Sequence, residues 1–403
     1  MLFQFNKHSS ILLIFFIQGL VYCFLFLKKG IKKESKPDLW LAFFLALSVL
    51  YISPWMLGFA GWYDAQPYRD ILFYIPFLQL FFIGPSMYFY VQSILNRSFT
   101  FKKNNYWHFL PGTLYLLYSL IIFSTDKVIL HKYYFLANGA DPDFDTWYQI
   151  SGFVSMIAYL FASLRYYNFY KKITFDEVSF ADSLLFKWIR NFLIAFSAIL
   201  IIRFGFFVFS LFMQMEYSNA WWYYIAFSVA IYYISISGYS NSLKSLVTIK
   251  VNEDEIINQP LKKDKEVIPQ APLQTLETIE PNSVNDDLAF IEKWKKTIES
   301  KLIDDKLYEN PELLLSDLSK AVNLNQAILS RVINKGIKMN FNDFINFHRI
   351  QAVKQKIKLG EHQSKTLLGI AYECGFNSKA TFNRAFKKVS NYNPREWMAK
   401  ENL

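Results

Sequence analysis

Long apolar stretches fill most of the first 240 residues, and they constrain the fold more than any other feature of the sequence. A helix needs about 20 mostly apolar residues to cross the ~30 Å hydrocarbon core of a bilayer. Seven stretches reach or approach this length: Ser10–Leu27, Leu39–Phe59, Ile71–Leu95, Trp107–Phe123, Trp147–Arg165, Ile189–Met213 and Ala220–Ser240. The sequence therefore predicts an all-α protein that begins with a seven-transmembrane helical bundle in the lipid bilayer, over residues 1–240.

Basic residues between these stretches indicate how the bundle is oriented. Thirteen Lys and Arg residues fall in the first, third and fifth loops, whereas the N-terminus and the even-numbered loops hold four. Because Lys and Arg next to a span stay on the cytoplasmic side, the N-terminus is expected outside. An odd number of spans then places the C-terminus in the cytoplasm.

Few polar residues in this half suggest a chemical role. Arg203 lies deep in the sixth stretch, where it is either a sensor residue that meets a ligand or relays a signal, or an arginine that bonds to a neighbouring helix or snorkels to the membrane interface. The longest outer loop, 124–146, carries several aspartates, but the spacing in "GADPDFD" does not match a calcium loop. We expect a solvated acidic loop, and neither a metal nor a cofactor.

The character of the sequence changes after the last apolar stretch. Residues 250–286 contain four prolines, many charges and no aromatic residue, which predicts a flexible cytoplasmic linker over 241–286. Residues 320–403 hold 15 Lys and Arg against 5 Asp and Glu, so they carry the whole net charge of +10. Such a concentration of positive charge suits a polyanion or anionic lipid.

The C-terminal region, residues 287–403, contains two similar helix–turn–helix patterns, at about 314–335 and 366–389. In each, a short amphipathic helix, a turn at Asn323 or Gly375, and a second amphipathic helix follow one another, which is a DNA-binding geometry. A predicted linker helix of about 18 residues, ended by Gly360, separates them. At ~27 Å it can hold two recognition helices about one DNA turn, ~34 Å, apart.

The outward residues of the two second helices match when one is shifted by 53 positions. Side chains at i, i+1, i+4 and i+5 share one helical face, and these residue types suit base edges in a major groove. The predicted DNA-binding residues are Gln326, Ala327, Ser330, Arg331, Lys379, Ala380, Thr381, Asn383 and Arg384. Phosphate contacts are expected from Asn325, Ser378, Lys387 and Lys388.

The C-terminal region resembles the AraC/XylS-type DNA-binding domain. The stretch "IAYECGFNSKATFNRAFKKVSNYNP" is similar to that family's signature, and "LSRVINKGIKMNFNDFINFHRIQAVK" to its first unit and linker helix. The first half more weakly resembles the multi-pass regions of some bacterial AraC-like regulators. The resemblance implies transcription control from a bacterial inner (cytoplasmic) membrane, with promoter DNA and also RNA polymerase as partners. Asn323 and Asn391, where the family often has glycine, and Met398, where it often has arginine, affect local geometry rather than the fold.

Three functional hypotheses follow. In the first, a membrane-embedded transcriptional regulator senses a small-molecule, lipid or envelope signal through its bundle, alone or as a homodimer. In the second, the chain is a membrane transporter or enzyme with a regulatory DNA-binding-like tail, although it shows no nucleophile motif or phosphate loop and its five histidines are scattered. In the third, proteolysis in the linker releases the tail.

Overall fold

The computed structural model describes residues 3–96, 99–181, 186–212, 217–241 and 284–403, and its regular structure there is helical. The chain divides into two compact units. The first comprises Met1–Asn168 and Leu185–Asn252, and the second comprises Phe169–Leu184 and Glu253–Leu403. The linker predicted over 241–286 lies outside the described residues, except at its two ends.

The first unit is built mainly from long helices. Within the described ranges these are α1 Lys7–Lys32, α2 Lys36–Phe59, α3 Tyr68–Tyr74, α4 Leu80–Leu95, α5 Leu110–Phe123, α6 Thr146–Glu177, α7 Phe186–Phe212 and α8 Ala220–Asn241. The last residues of α6, from Phe169 onward, belong to the second unit.

Five helical stretches in the described part of the chain are long and apolar enough to cross a membrane: Lys7–Lys32, Lys36–Phe59, Lys103–Ile129, Thr146–Glu177 and Phe186–Phe209. Two of the seven predicted spans are less clear. The helix α4 has only 16 residues. The helix α8 has 22 residues, but its tyrosines, tryptophans and serines lower its mean hydropathy. Apolar helices are therefore present, while the count of seven stays a prediction.

The third predicted span, Ile71–Leu95, is not one helix. The structure ends α3 at Tyr74 and begins α4 at Leu80, because Pro76 in the sequence between them has no N–H with which to continue a helix. The backbone N–H of Leu78 in this break donates to Oδ2 of Asp143 at 2.8 Å. A carboxylate from the connection between α5 and α6 thus satisfies backbone that the break leaves unpaired.

The loop over 124–146 differs in part from the expectation: more than half of its residues are exposed, but the prediction that its aspartates are solvated was wrong for three of them. Asp126, Asp141 and Asp143 are 0%, 8% and 2% exposed. The hydroxyl of Tyr115 donates to Oδ1 of Asp143 at 2.6 Å, and that of Tyr63 donates to Oδ2 of Asp141 at 2.9 Å. Burial raises the pKa of both Asp141 and Asp143, and the neighbouring carboxylate raises that of Asp141 further.

The second unit contains seven α-helices after the linker, counted over residues 284–403: α9 Val284–Asp304, α10 Leu315–Val322, α11 Gln326–Arg331, α12 Phe341–Lys358, α13 Leu367–Glu373, α14 Lys379–Ser390 and α15 Pro394–Lys400. Two hydrophobic cores form around them. Phe344 and Ile345 of α12 belong to the first core, whereas Val353 and Ile357 belong to the second. Because one helix is buried in both cores, it fixes how the two halves of this unit are spaced.

Candidate nucleic-acid interface

The first helix–turn–helix unit consists of α10 and α11. Asn323 ends α10 with φ of +54°, a left-handed conformation that asparagine tolerates. Asn325 caps α11, where its side chain accepts a hydrogen bond from the N–H of Ala327 at 2.8 Å. One π-helical turn, Val332–Ile337, extends α11. Leu329 is fully buried beneath it, so this helix is held on the core with its opposite side outward.

The second unit consists of α13 and α14. Gly375 lies between them with φ of +88°, and a Cβ there would lie 2.3 Å from the carbonyl oxygen of Tyr308, so the position requires glycine. Ser378 caps α14 by accepting a hydrogen bond from the N–H of Thr381 at 3.1 Å. Phe386 is fully buried and packs edge-on against Trp397. The turns at Asn323 and Gly375 therefore agree with those that the sequence predicts.

Most predicted DNA-contacting side chains lie on the outward sides of α11 and α14, which we call the recognition surface. Asn325, Gln326, Lys379, Ala380, Asn383, Arg384, Lys387 and Lys388 are exposed, and Ala327, Ser330, Arg331 and Ser378 are half-buried. The helix α14 carries four cations and no acidic residue. A surface of this charge favours phosphate oxygens.

Two residues differ from their predicted setting. Thr381 is only 2% exposed, and its hydroxyl oxygen accepts a hydrogen bond from that of Ser378 at 2.9 Å, so it belongs to the cap of α14 and not to the recognition surface. Lys388 is exposed, but its Nζ lies 2.6 Å from Oδ2 of Asp343 in α12. A phosphate would therefore compete with Asp343 for this cation.

The predicted sensor residue, Arg203, lies within the first unit and is well bonded. Its Nη1 donates to the hydroxyl of Tyr51 in α2 at 3.1 Å, and its Nη2 donates to Oε1 of Gln149 in α6 at 2.7 Å. The guanidinium carbon lies 5.5 Å from the ring centroid of Phe153. These contacts match the structural alternative, an arginine bonded to neighbouring helices, and a sensing role stays a proposal.

Sequence reasoning missed one buried arginine in this unit. Arg349 of α12 is 1% exposed. Burial lowers its pKa to about 9, so the guanidinium is still charged at neutral pH. A signal was available, since Arg349 is four residues from both Ile345 and Val353 and so falls on the apolar stripe of the helix. A charge at such a position needs several acceptors around it.

Comparison with known proteins supports the assignment of this region. A family model described as a helix-turn-helix domain matches residues 318–400. An uncharacterised HTH-type transcriptional regulator of Staphylococcus aureus strain COL is 24% identical over 148 residues, which is 37% of this chain and 18% of that protein. Regulators from strains MSSA476 and MRSA252 match to the same extent.

The similarity is local. The matched region spans less than a fifth of the length of these relatives. No solved structure gives a significant match. The C-terminal region thus carries an AraC-type helix-turn-helix domain of the kind found in transcriptional regulators.

Proposed function

We propose that the chain is a membrane-embedded transcriptional regulator that couples a membrane or envelope signal to sequence-specific binding of promoter DNA. One observation carries the proposal. The two helix–turn–helix units share α12, which is buried in both of their cores, in a chain that also holds five helical stretches fit to cross a membrane. DNA binding is the function that explains such a pair of units.

The shared helix suits two successive major grooves. Its 18 residues make it about 27 Å long, comparable with the ~34 Å of one DNA turn. Arg331 and Arg384 are the proposed contacts to guanine, each through a bidentate pair of hydrogen bonds, and Gln326 is the proposed contact to adenine. Other proposed base contacts come from Ala327, Ser330, Lys379, Ala380 and Asn383, and phosphate contacts from Asn325, Ser378, Lys387 and Lys388.

The membrane arrangement is part of the same proposal. With α4 and α8 added to the five long stretches, the bundle has seven spans in a bacterial inner membrane. The excess of Lys and Arg in the odd-numbered loops supports an N-terminus outside and a cytoplasmic C-terminus. Signal input is proposed through the bundle, where Arg203 is the first residue to test with small-molecule or lipid ligands. RNA polymerase and a second copy of the chain are further proposed partners.

The direct test uses full-length protein in lipid nanodiscs and a pool of random DNA duplexes. We expect selection to enrich a two-part motif, with the parts about one helical turn apart, and binding to weaken steeply as salt rises. Equal affinity for all sequences at every salt concentration would refute sequence-specific regulation.

Cell experiments test the proposed membrane location and the cytoplasmic position of the C-terminus. A reporter fused after Leu403 should be active in the cytoplasm, and a blot should find the full-length chain in the membrane fraction. A periplasmic reporter signal would exclude gene control, whereas a shortened soluble tail would instead support release by proteolysis.

A further inference from the structure

A short segment of the connection between α6 and α7 is buried in the DNA-binding unit. Residues 178–181, which we call the strap, follow directly after the last residue of α6. Val178, Ser179, Phe180 and Ala181 are 1%, 0%, 5% and 0% exposed. Val178 forms an antiparallel bridge with Leu314, and the N–H of Ser179 donates to the carbonyl oxygen of Leu313 at 3.1 Å. The strap thus pairs through its backbone with the segment that leads into α10.

The strap also bonds to the linker helix. Nδ2 of Asn342 donates to the carbonyl oxygen of Ser179 at 2.8 Å, and Asn342 is itself 0% exposed. Its own Oδ1 accepts a hydrogen bond from Asn346 one turn later, at 3.1 Å. Two polar side chains of α12 are therefore buried where the strap lies. Buried amides without acceptors are costly, so their presence indicates that the strap belongs there.

Arg349 completes the attachment. Its Nη2 donates to Oγ of Ser179 at 3.1 Å and its Nη1 to the carbonyl oxygen of Ser179 at 3.3 Å. Two further donations reach the carbonyl oxygens of Tyr308, at 2.8 Å, and Asn310, at 2.7 Å. If the strap left, this buried cation would lose two acceptors, which is unfavourable in a site of low polarity.

The same arginine reaches the second helix–turn–helix unit. Its guanidinium carbon lies 5.8 Å from the ring centroid of Phe376, the residue that follows the turn at Gly375. The carbonyl of Tyr308, to which Arg349 donates, is also the group that leaves no space for a Cβ at Gly375. Strap, α12, the segment before α10 and the second turn therefore meet at Arg349.

The strap is covalently continuous with two apolar helices. The strap joins α6 to α7, so any movement of these apolar helices acts on it through the backbone. Gln149, a partner of Arg203, lies near the start of α6, and the strap follows its end. A change at the predicted sensor residue thus has a covalent route to the DNA-binding unit that does not use residues 242–283.

We propose that the strap is the coupling element of this protein: its docking on Asn342 and Arg349 holds the two helix–turn–helix units in the arrangement that binds DNA, and its release weakens specific binding. This inference rests on the proposed function. It predicts that the DNA-binding unit is incomplete without residues contributed from between two membrane helices.

A cross-link tests the docking. Bridge partners in an antiparallel pair have Cα atoms about 4.5–5.5 Å apart, within the range for a disulfide. Val178→Cys and Leu314→Cys are introduced together in protein with Cys23→Ala and Cys374→Ala, and a protease site is inserted between Pro260 and Leu261. After oxidation in nanodiscs and cleavage, the two fragments should stay joined until a reductant is added. Each single cysteine variant is the control, and fragments that separate without reductant would overturn the proposal.

DNA binding tests the coupling. Ser179→Pro removes the N–H that bonds to Leu313, whereas Lys172→Ala changes an exposed residue in the last turns of α6, just before the strap, and serves as the control. We expect Ser179→Pro to weaken binding to the selected motif at least about tenfold, with random DNA unaffected, and the oxidised cysteine pair to bind as tightly as wild type. Wild-type affinity in Ser179→Pro, or loss of binding in the oxidised pair, would overturn the coupling.

The two proposals fail in different ways. A wild-type protein that selects no DNA sequence would overturn the proposed function and the coupling with it. The cross-link would still decide whether the strap docks, because it is measured without DNA.

Discussion

Arg384 and Lys387 offer a matched pair of substitutions for separating base recognition from phosphate binding. They lie three residues apart on α14, both are exposed, and neither belongs to the core beneath the helix. Replacing either with alanine should therefore change the free energy of unfolding by no more than about 0.5 kcal/mol. Differences in DNA binding then report on the interface itself.

The two variants should lose different parts of the DNA-binding free energy. Arg384→Ala removes a proposed bidentate contact to guanine, worth about 1–3 kcal/mol, so affinity for the selected motif should fall about 5- to 150-fold with preference lost at one base pair. Lys387→Ala removes a proposed phosphate contact, so all sequences should weaken alike, and the slope of log K against log salt should become shallower by about 0.9.

Fluorescence anisotropy with full-length protein in nanodiscs measures both effects, using the motif, single-base variants of it and random DNA at several salt concentrations. If Arg384→Ala weakened random DNA as much as the motif, Arg384 would be a phosphate contact. If Lys387→Ala changed the base preference, the assignment of Lys387 to a phosphate contact would be wrong.

Three further substitutions probe the DNA-binding unit. Asp343→Asn removes the carboxylate paired with Lys388, so binding to random DNA should tighten and its salt slope steepen by up to about 0.9; an unchanged slope in titrations would contradict this. Burial lowers the pKa of His348 to about 4, so stability is full above about pH 6.5 and should fall by up to about 3 kcal/mol as the pH drops to 4. His348→Phe should remove this decline in hydrogen-exchange measurements, and a persistent decline would assign it to other groups. Phe386→Ala should destabilise the unit by about 3–5 kcal/mol, seen as earlier thermal unfolding, whereas an effect as small as that of Lys387→Ala would contradict the packing described for α14.

The turns of the DNA-binding unit could be predicted because they depend on a few consecutive residues. Asn323 and Gly375 adopt the positive φ that their residue types allow, and Asn325 and Ser378 cap the helices that follow them. The position of Gly360, which has φ of +86° after the linker helix, follows from the same local rule. The apolar spacing of α14 likewise identifies Phe386 as buried.

Features that depend on distant residues were not predictable in this way. Pro76 marks the break within Ile71–Leu95 in the local sequence, whereas the group that satisfies its backbone, Asp143, lies 65 residues from its partner Leu78. Nothing near Asp143 in the sequence indicates that it is buried, because its hydrogen-bond donors lie elsewhere in the chain. Ser179 reaches Arg349 across 170 residues, and nothing in the local sequence of either one indicates the other.

Footprinting of the full-length protein on its selected motif is the most direct test of two-groove binding. With one protein per duplex in a nanodisc, hydroxyl-radical cleavage should show two protected patches on one face of the DNA, about one helical turn apart. Inserting half a turn of DNA between the two parts should abolish one patch, and so should inserting a full turn, because α12 is buried in both cores and cannot lengthen. A single patch on the intact motif, or full recovery with the longer insertion, would contradict a rigid pair of DNA-binding units in one chain.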